Sequence, residues 1–188
     1  MDFMGKCTRC GSDCCIFKDN LGFAFIGIGD ARKIKKAIKW DYCYFLDFSP
    51  LKKKTVAALR TCDPSLEGAL RFSQLDNKGR ILRLKTRRGA RCIFLNESNG
   101  CDIYSHRPNV CRIYPFWAIR LISNRIKVIE HDPLPICQII AEAADAVKSL
   151  SRTEILKIKR VFKSIEKENS LYQKHKHKLP ACSRGLWR

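Results

Sequence analysis

Four cysteines crowd the first fifteen residues, Cys7-x-x-Cys10 and then the adjacent pair Cys14-Cys15, and no other feature restricts this chain's fold as tightly. Two thiols separated by two residues can be aimed at one ion from a single turn, as in zinc knuckles and iron–sulfur sites, although a redox dithiol shares the spacing. Neighbouring side chains diverge by about 100° on a helix or about 180° on a strand, so Cys14 and Cys15 are not expected to share one tetrahedral ion easily. That leaves two centres, a bridged centre, or one ligand beside one packing thiol.

Ligands that complete such a site must come from elsewhere in the chain. Cys92, Cys101, Cys111 and Cys137 each stand beside a turn or a proline rather than inside a long regular element, and loops are where ligands can converge. The expected metal ligands are therefore Cys7, Cys10, Cys14, Cys15, Cys92, Cys101, Cys111 and Cys137. Cys43, Cys62 and Cys182 read as ordinary packing thiols, and His106 and His131 as loop histidines. Lys6, Arg9, Arg91 and Arg112 adjoin cysteines and could offset thiolate charge.

The compartment bears on this reading. The first fifteen residues have no signal-like apolar stretch, and no run approaches the roughly 18 apolar residues of a membrane span. The chain is thus expected in the cytosol, where its 11 cysteines meet reducing conditions and close-set thiols bind metal more readily than they form disulfides. No membrane partner is expected.

Turn and capping signals give an α+β outline. Leu21 to Ile28 suits a strand, with Asp30 capping a helix from Ala31 to about Trp40. Leu70 to Leu75 and Arg80 to Lys85 read as a hairpin across Asp76-Asn77-Lys78-Gly79, with Arg91 to Leu95 as the next strand. Pro108 and Pro115 bracket a short helix carrying Cys111. Ala118 to Ile122 and Arg125 to Ile129 form a second hairpin, and Ser151-Arg152-Thr153-Glu154 is a capping box opening a long helix towards Lys174. The predicted organisation is a cysteine-cluster domain over residues 1–137, a helical segment over 138–178 and a basic tail over 179–188.

The stretch Cys92-Ile93-Phe94-Leu95, Cys101-Asp102-Ile103-Tyr104, Arg107-Pro108-x-x-Cys111-Arg112-x-Tyr114-Pro115-Phe116, preceded by Cys7-x-x-Cys10-x-x-x-Cys14-Cys15, resembles the YkgJ-like cysteine-cluster family. That family is described as zinc- or iron-chelating through eight cysteines. The resemblance implies seven of them here by motif, Cys7, Cys10, Cys14, Cys15, Cys92, Cys101 and Cys111, and Cys137 by order. It implies either zinc or an iron–sulfur cluster such as [4Fe–4S], since both accept four thiolates. A bacterial flagellin lysine N-methylase contains the same cluster with an iron–sulfur centre, so the resemblance also implies, as an alternative function, S-adenosylmethionine-dependent protein methylation on an acidic protein substrate.

Charge points to a different role. The formal net charge is +19, and the excess sits in residues 51–100 and 151–188, on either side of a nearly neutral segment. Arg83, Lys85, Arg87, Arg88 and Arg91 make one block; Lys157, Lys159, Arg160 and Lys163 lie on a helical face in the other. Both could track phosphates, favouring RNA or a ribonucleoprotein as partner, or another acidic surface. Most aromatic residues fall where a core would want them, so sequence-tolerant binding is expected. Gly27-Ile28-Gly29 faintly resembles a nucleotide loop but lacks the third glycine and runs into a helix. No catalytic nucleophile or paired carboxylate is evident.

Overall fold

The computed structural model of this chain describes residues 13–16, 24–50, 80–130 and 147–175. Within them short antiparallel strand pairs alternate with helices: α1 (Ile28–Ile38), α2 (Tyr42–Phe45), β1 (Leu46–Pro50), β2 (Arg80–Leu84), β3 (Thr86–Arg87), β4 (Arg91–Cys92), α3 (Asn109–Ile113), β5 (Phe116–Arg120), β6 (Ile126–Glu130) and α4 (Arg152–His175). This is the expected α+β class. No described helix is long and apolar enough to cross a membrane.

Strand β2 has its partner at β1, in the register Leu46↔Leu84, Asp47↔Arg83 and Phe48↔Leu82. Its other edge takes Ala24 to Ile26, through an Ile26 N–H to Leu82 carbonyl bond of 3.1 Å and a Leu84 N–H to Ala24 carbonyl bond of 2.9 Å. The Leu70 to Leu75 half of the expected hairpin lies outside the described residues. Burial on both faces suits this central position, since the neighbours Ile81 and Leu82 are both buried, as is Leu84.

Two apolar clusters fill the interior. One gathers Ile26, Ile34, Phe45, Leu46, Leu84, Phe94 and Ile103, and the half-buried Cys15, Cys101 and Cys111 pack against it. The other joins Ile113, Phe116 and Val128 to Leu150, Ile158 and Ile165. Helix α4 reaches it with a stripe at Ile158, Phe162, Ile165 and Asn169, spaced by three or four residues as a helix buried on one face requires. Trp117 of β5 stands edge-on between Phe25 and Phe162, with ring centroids 5.8 and 5.7 Å away. The α4 capping box forms as expected: the Glu154 N–H donates to Ser151 Oγ at 3.2 Å and the Ser151 N–H to Glu154 Oε2 at 2.9 Å.

The N-terminus of α1 departs from the sequence reading. Its cap is Gly27, not Asp30, and its first turn is closed by a carboxylate from far along the chain. Glu168 of α4 accepts the Gly29 N–H at 2.9 Å and also the Asp30 N–H. A Cβ at Gly27 would run into that carboxylate, and one at Gly29 would lie 2.5 Å from it. Gly27 has an ordinary extended backbone (φ −75°, ψ 159°), so a larger residue there would meet the Glu168 carboxylate rather than any backbone strain. The glycine pair that hints at a phosphate loop thus receives an internal anion, which uses the same exposed N–H groups and helix dipole. Asp30, displaced from capping its own helix, is buried and accepts the Asn109 N–H at 2.7 Å, opening α3 instead.

Burial and the nearby Asp30 raise the Glu168 carboxyl above the ordinary 4.5. A raised folded-state value gives stability that is present in full below the unfolded value and is lost as pH rises through the folded one. Glu168→Gln keeps an acceptor for Gly29 but carries no charge, so its melting temperature relative to wild type should climb as pH rises from 4.5 towards neutrality. Glu168→Ala strands two N–H groups and should cost about 1–2 kcal/mol in urea unfolding. A Glu168→Gln difference that is flat with pH would show that the carboxylate feels no such environment.

Candidate metal centre

Four of the expected ligands stand on three segments near one another, the first two positioned by backbone pairing and the third by the Asp30 cap of α3. A single turn of 3₁₀ helix, Asp13–Cys15, leads into Ile16, which bridges antiparallel to Arg91. That register sets Cys15 opposite Cys92. From Cys92 the chain turns at once, Leu95 donating to the Cys92 carbonyl at 3.0 Å, and Leu95 bridges back to Cys101.

The loop between them is built on Asn96 and Asn99. Asn96 Oδ1 accepts the Gly100 N–H at 2.7 Å, and its amide donates to Asp102 Oδ1 at 3.0 Å. Asn99 takes the left-handed conformation (φ 57°) that the Asn-Gly turn signal anticipates. A second 3₁₀ turn, Tyr104–His106, then delivers Pro108 as the cap of α3, on which Cys111 sits.

The four thiols lie within electrostatic reach of one another. Burial first, then a backbone hydrogen bond to Phe94 acting the other way, then the neighbouring Cys15 and Cys101, leave Cys92 pushed up to about 12. Cys111 is raised well above its ordinary range by burial and then by Cys92, Cys15 and Cys101. Cys101 is raised by burial, against a backbone hydrogen bond to Ile103. Cys15 alone is lowered, by its contact with Cys14 and by Arg107, burial opposing both.

Such a set opposes its own ionisation, and a cation placed among the sulfurs would reverse that. Thiolate ligation by zinc or iron has this requirement. A second fit comes from Arg107. Its guanidinium stacks 3.9 Å over the Tyr104 ring and acts on Cys15, Cys101 and Cys111, while its Nε is buried with no hydrogen-bond partner. A buried, unpaired donor acting on three of the thiols suits a site that becomes anionic when loaded.

Among the described residues no three Cys, His, Asp or Glu donors already stand in a metal-holding arrangement; Cys7, Cys10 and Cys137 lie outside the described residues. Cys14 and Cys15 do not splay as an extended pair would. The 3₁₀ turn leaves their sulfurs 4.0 Å apart, close to the roughly 3.8 Å edge of a tetrahedron with zinc–sulfur bonds of about 2.3 Å. Both could therefore face one ion, which the sequence reading held to be difficult.

The other expected residues divide. Arg112 donates from Nε to the Arg107 carbonyl at 2.8 Å and from Nη2 to the Ser105 carbonyl at 3.0 Å, bracing the loop rather than offsetting thiolate charge. Arg91 reaches Asn99 Oδ1 at 3.1 Å. Arg83 is paired with Asp47 across β1 and β2 at 2.7 Å, and it is thereby committed to the fold and not to phosphates. Arg87 and Arg88 are exposed, and Lys85 is half-buried. His106 stands exposed with Nδ1 2.9 Å from Ser105 Oγ. Arg107, which now carries the site's positive charge, was not singled out as a charge partner, because it adjoins no cysteine; its only signal is its place before Pro108, four residues ahead of Cys111.

The chain matches a family model, CxxCxxCC, described as a putative zinc- or iron-chelating domain, over residues 6–138. It belongs to that family, with three residues between Cys10 and Cys14 where the family's name has two. The matched span includes Cys7 through Cys137 and leaves Cys182 outside. No solved structure matches the chain.

If these thiols hold the metal, Cys92→Ser and Cys111→Ser should each abolish or sharply reduce bound metal measured by inductively coupled plasma spectrometry, while Cys43→Ser leaves it unchanged. Equal loss in all three would mean that general misfolding, not ligation, governs metal content.

Proposed function

We propose that this member of the CxxCxxCC family uses its zinc or iron centre as a structural tie, and that the tied domain is a basic binding module for RNA or a ribonucleoprotein in the cytosol. The observation that carries the first part is that Cys15, Cys92, Cys101 and Cys111, on three segments otherwise joined by only a few backbone bonds, lie within electrostatic reach of one another, with Arg107 acting on three of them. Cys7, Cys10, Cys14 and Cys137 are the remaining ligands in this reading. Thiolate-bound zinc supplies a cross-link that replaces missing core; a [4Fe–4S] cluster would supply the same link together with electron transfer.

The second part is supported by the net charge of +19, which thiolate ligation reduces only slightly. The methylase alternative is less favoured, because the glycine pair that could have served a nucleotide-like cofactor is filled by Glu168.

Oxygen-free purification followed by metal and acid-labile sulfide analysis separates the two metals: visible absorption with sulfide identifies iron–sulfur, a colourless zinc-containing protein identifies zinc. Stripping the metal with a strong chelator under reducing conditions should lower the melting temperature by about 4–8 °C, of the order expected when about 2 kcal/mol is lost from a chain of this size. A stripped protein that melts unchanged would remove the structural-tie reading.

A further inference from the structure

Between the β5–β6 hairpin and α4 runs an open groove of about 480 Å³, whose lining includes Ile126, Leu156, Lys159, Arg160 and Lys163. The helical residues fall at positions i, i+3, i+4 and i+7, so they share one face, and Lys159 and Lys163 stand about 6 Å apart along the axis. Neither Lys159, Arg160 nor Lys163 has an ion-pair partner among the described residues.

Arg120, also on the wall, is differently placed. It grips both Glu166 oxygens, with Nε to Oε1 at 2.8 Å, and its Nη1 donates to Asn124 Oδ1 at 2.7 Å. This fork fixes the hairpin against α4 and so sets the width of the groove.

We propose that this groove is where a single strand of RNA docks, a deepening that rests on the binding-module reading above. Lys159, Arg160 and Lys163 contact consecutive phosphates, and Leu156 with Ile126 gives an apolar floor to ribose and base faces. Among the described residues no aromatic ring lines the groove, so contacts fall on the backbone and binding tolerates any sequence. Leu121 and the fully exposed Ile122 at the hairpin tip raise an anionic membrane as a competing partner. A flat bilayer would meet that tip, whereas the cations line a concavity that fits a strand.

The test uses the purified, metal-loaded full chain and a fluorescein-labelled twelve-nucleotide oligouridylate, read by anisotropy across a salt series. Arg160→Glu with Lys163→Glu, both on exposed positions, should weaken binding at least tenfold at low salt. Arg160→Gln with Lys163→Gln should reduce the slope of log affinity against log salt by about 1.4, the value for two lost single-strand phosphate contacts. Melting curves for each variant that match wild type confirm that the loss is local.

If wild type binds and Arg87→Glu with Arg88→Glu abolishes binding while the groove variants do not, the groove assignment is overturned and the RNA reading stands. If wild type binds no oligouridylate at low salt, both fall. Equal affinity for polyglutamate of matched charge, or binding only to phosphatidylserine vesicles with loss on Ile122→Asp, replaces RNA as the occupant and overturns the assignment.

Discussion

A carboxylate from α4 inserted into the first turn of α1 holds the described parts of this protein in their relation to one another. Glu168 occupies the Gly29 and Asp30 amides, and Asp30, released from that duty, caps α3 through Asn109. Asn109 in turn donates from its side chain to Ser164 Oγ at 3.3 Å, back on α4. Three helices therefore meet at one polar node, where the N-termini of α1 and α3 are each satisfied by a side chain of another helix. Because α3 carries Cys111, the node also sets where that thiol stands relative to the other cysteines.

The need for a metal follows from the way this node and the apolar cluster press the cysteines together. Thiols alone gain little from proximity, and burial with mutual repulsion raises three of the four. Arg107 offsets only part of this, its action on Cys15 being clearest. An interior arrangement of this kind is retained when something binds it that the unfolded chain cannot hold as well, so that the binding free energy becomes folding free energy. The two-strand β3–β4 pair and the single bridges at Ile16 and Leu95 are too short to hold the loops by backbone bonds alone.

Local chemistry was legible in the sequence and remote chemistry was not. The Ser151–Glu154 box, the β5–β6 hairpin and the proline-bracketed helix at Cys111 each depend on a few consecutive residues, and each is found within about two residues of where turn and capping rules place it. The partner of β2 could not be read that way. Its pairing with β1 is decided by which apolar faces meet, Leu46 and Phe48 standing opposite Leu84 and Leu82 from far along the chain. Asp30 was misplaced for the same reason: its position suits an N-cap, yet an acceptor 138 residues further on, Glu168, reaches the amides first. The cysteines were readable in part because their spacing is a property of the chain, whereas Arg107 becomes a site residue only through the fold.

The same distinction changes what a net charge of +19 means. Arg83 is neutralised by Asp47 in a cross-strand pair, Arg120 by Glu166, and Lys35 by Asp41. Arg91 and Arg112 hold loop oxygens. These cations stabilise turns and strand pairs, and removing them would loosen the structure before it altered any partner. What remains for a partner includes, among the described residues, Arg87, Arg88, Lys157 and the Lys159–Arg160–Lys163 face. Of these, the α4 face alone borders a described concavity with an apolar floor. Long-range attraction scales with the whole charge, but retention of a bound strand depends on the few cations that can leave water for phosphate without abandoning a carboxylate. By that criterion α4, which closes the polar node with Glu168 on one turn, presents the docking cations on the turns before it, so the helix that orders the metal-bearing core also positions the binding face.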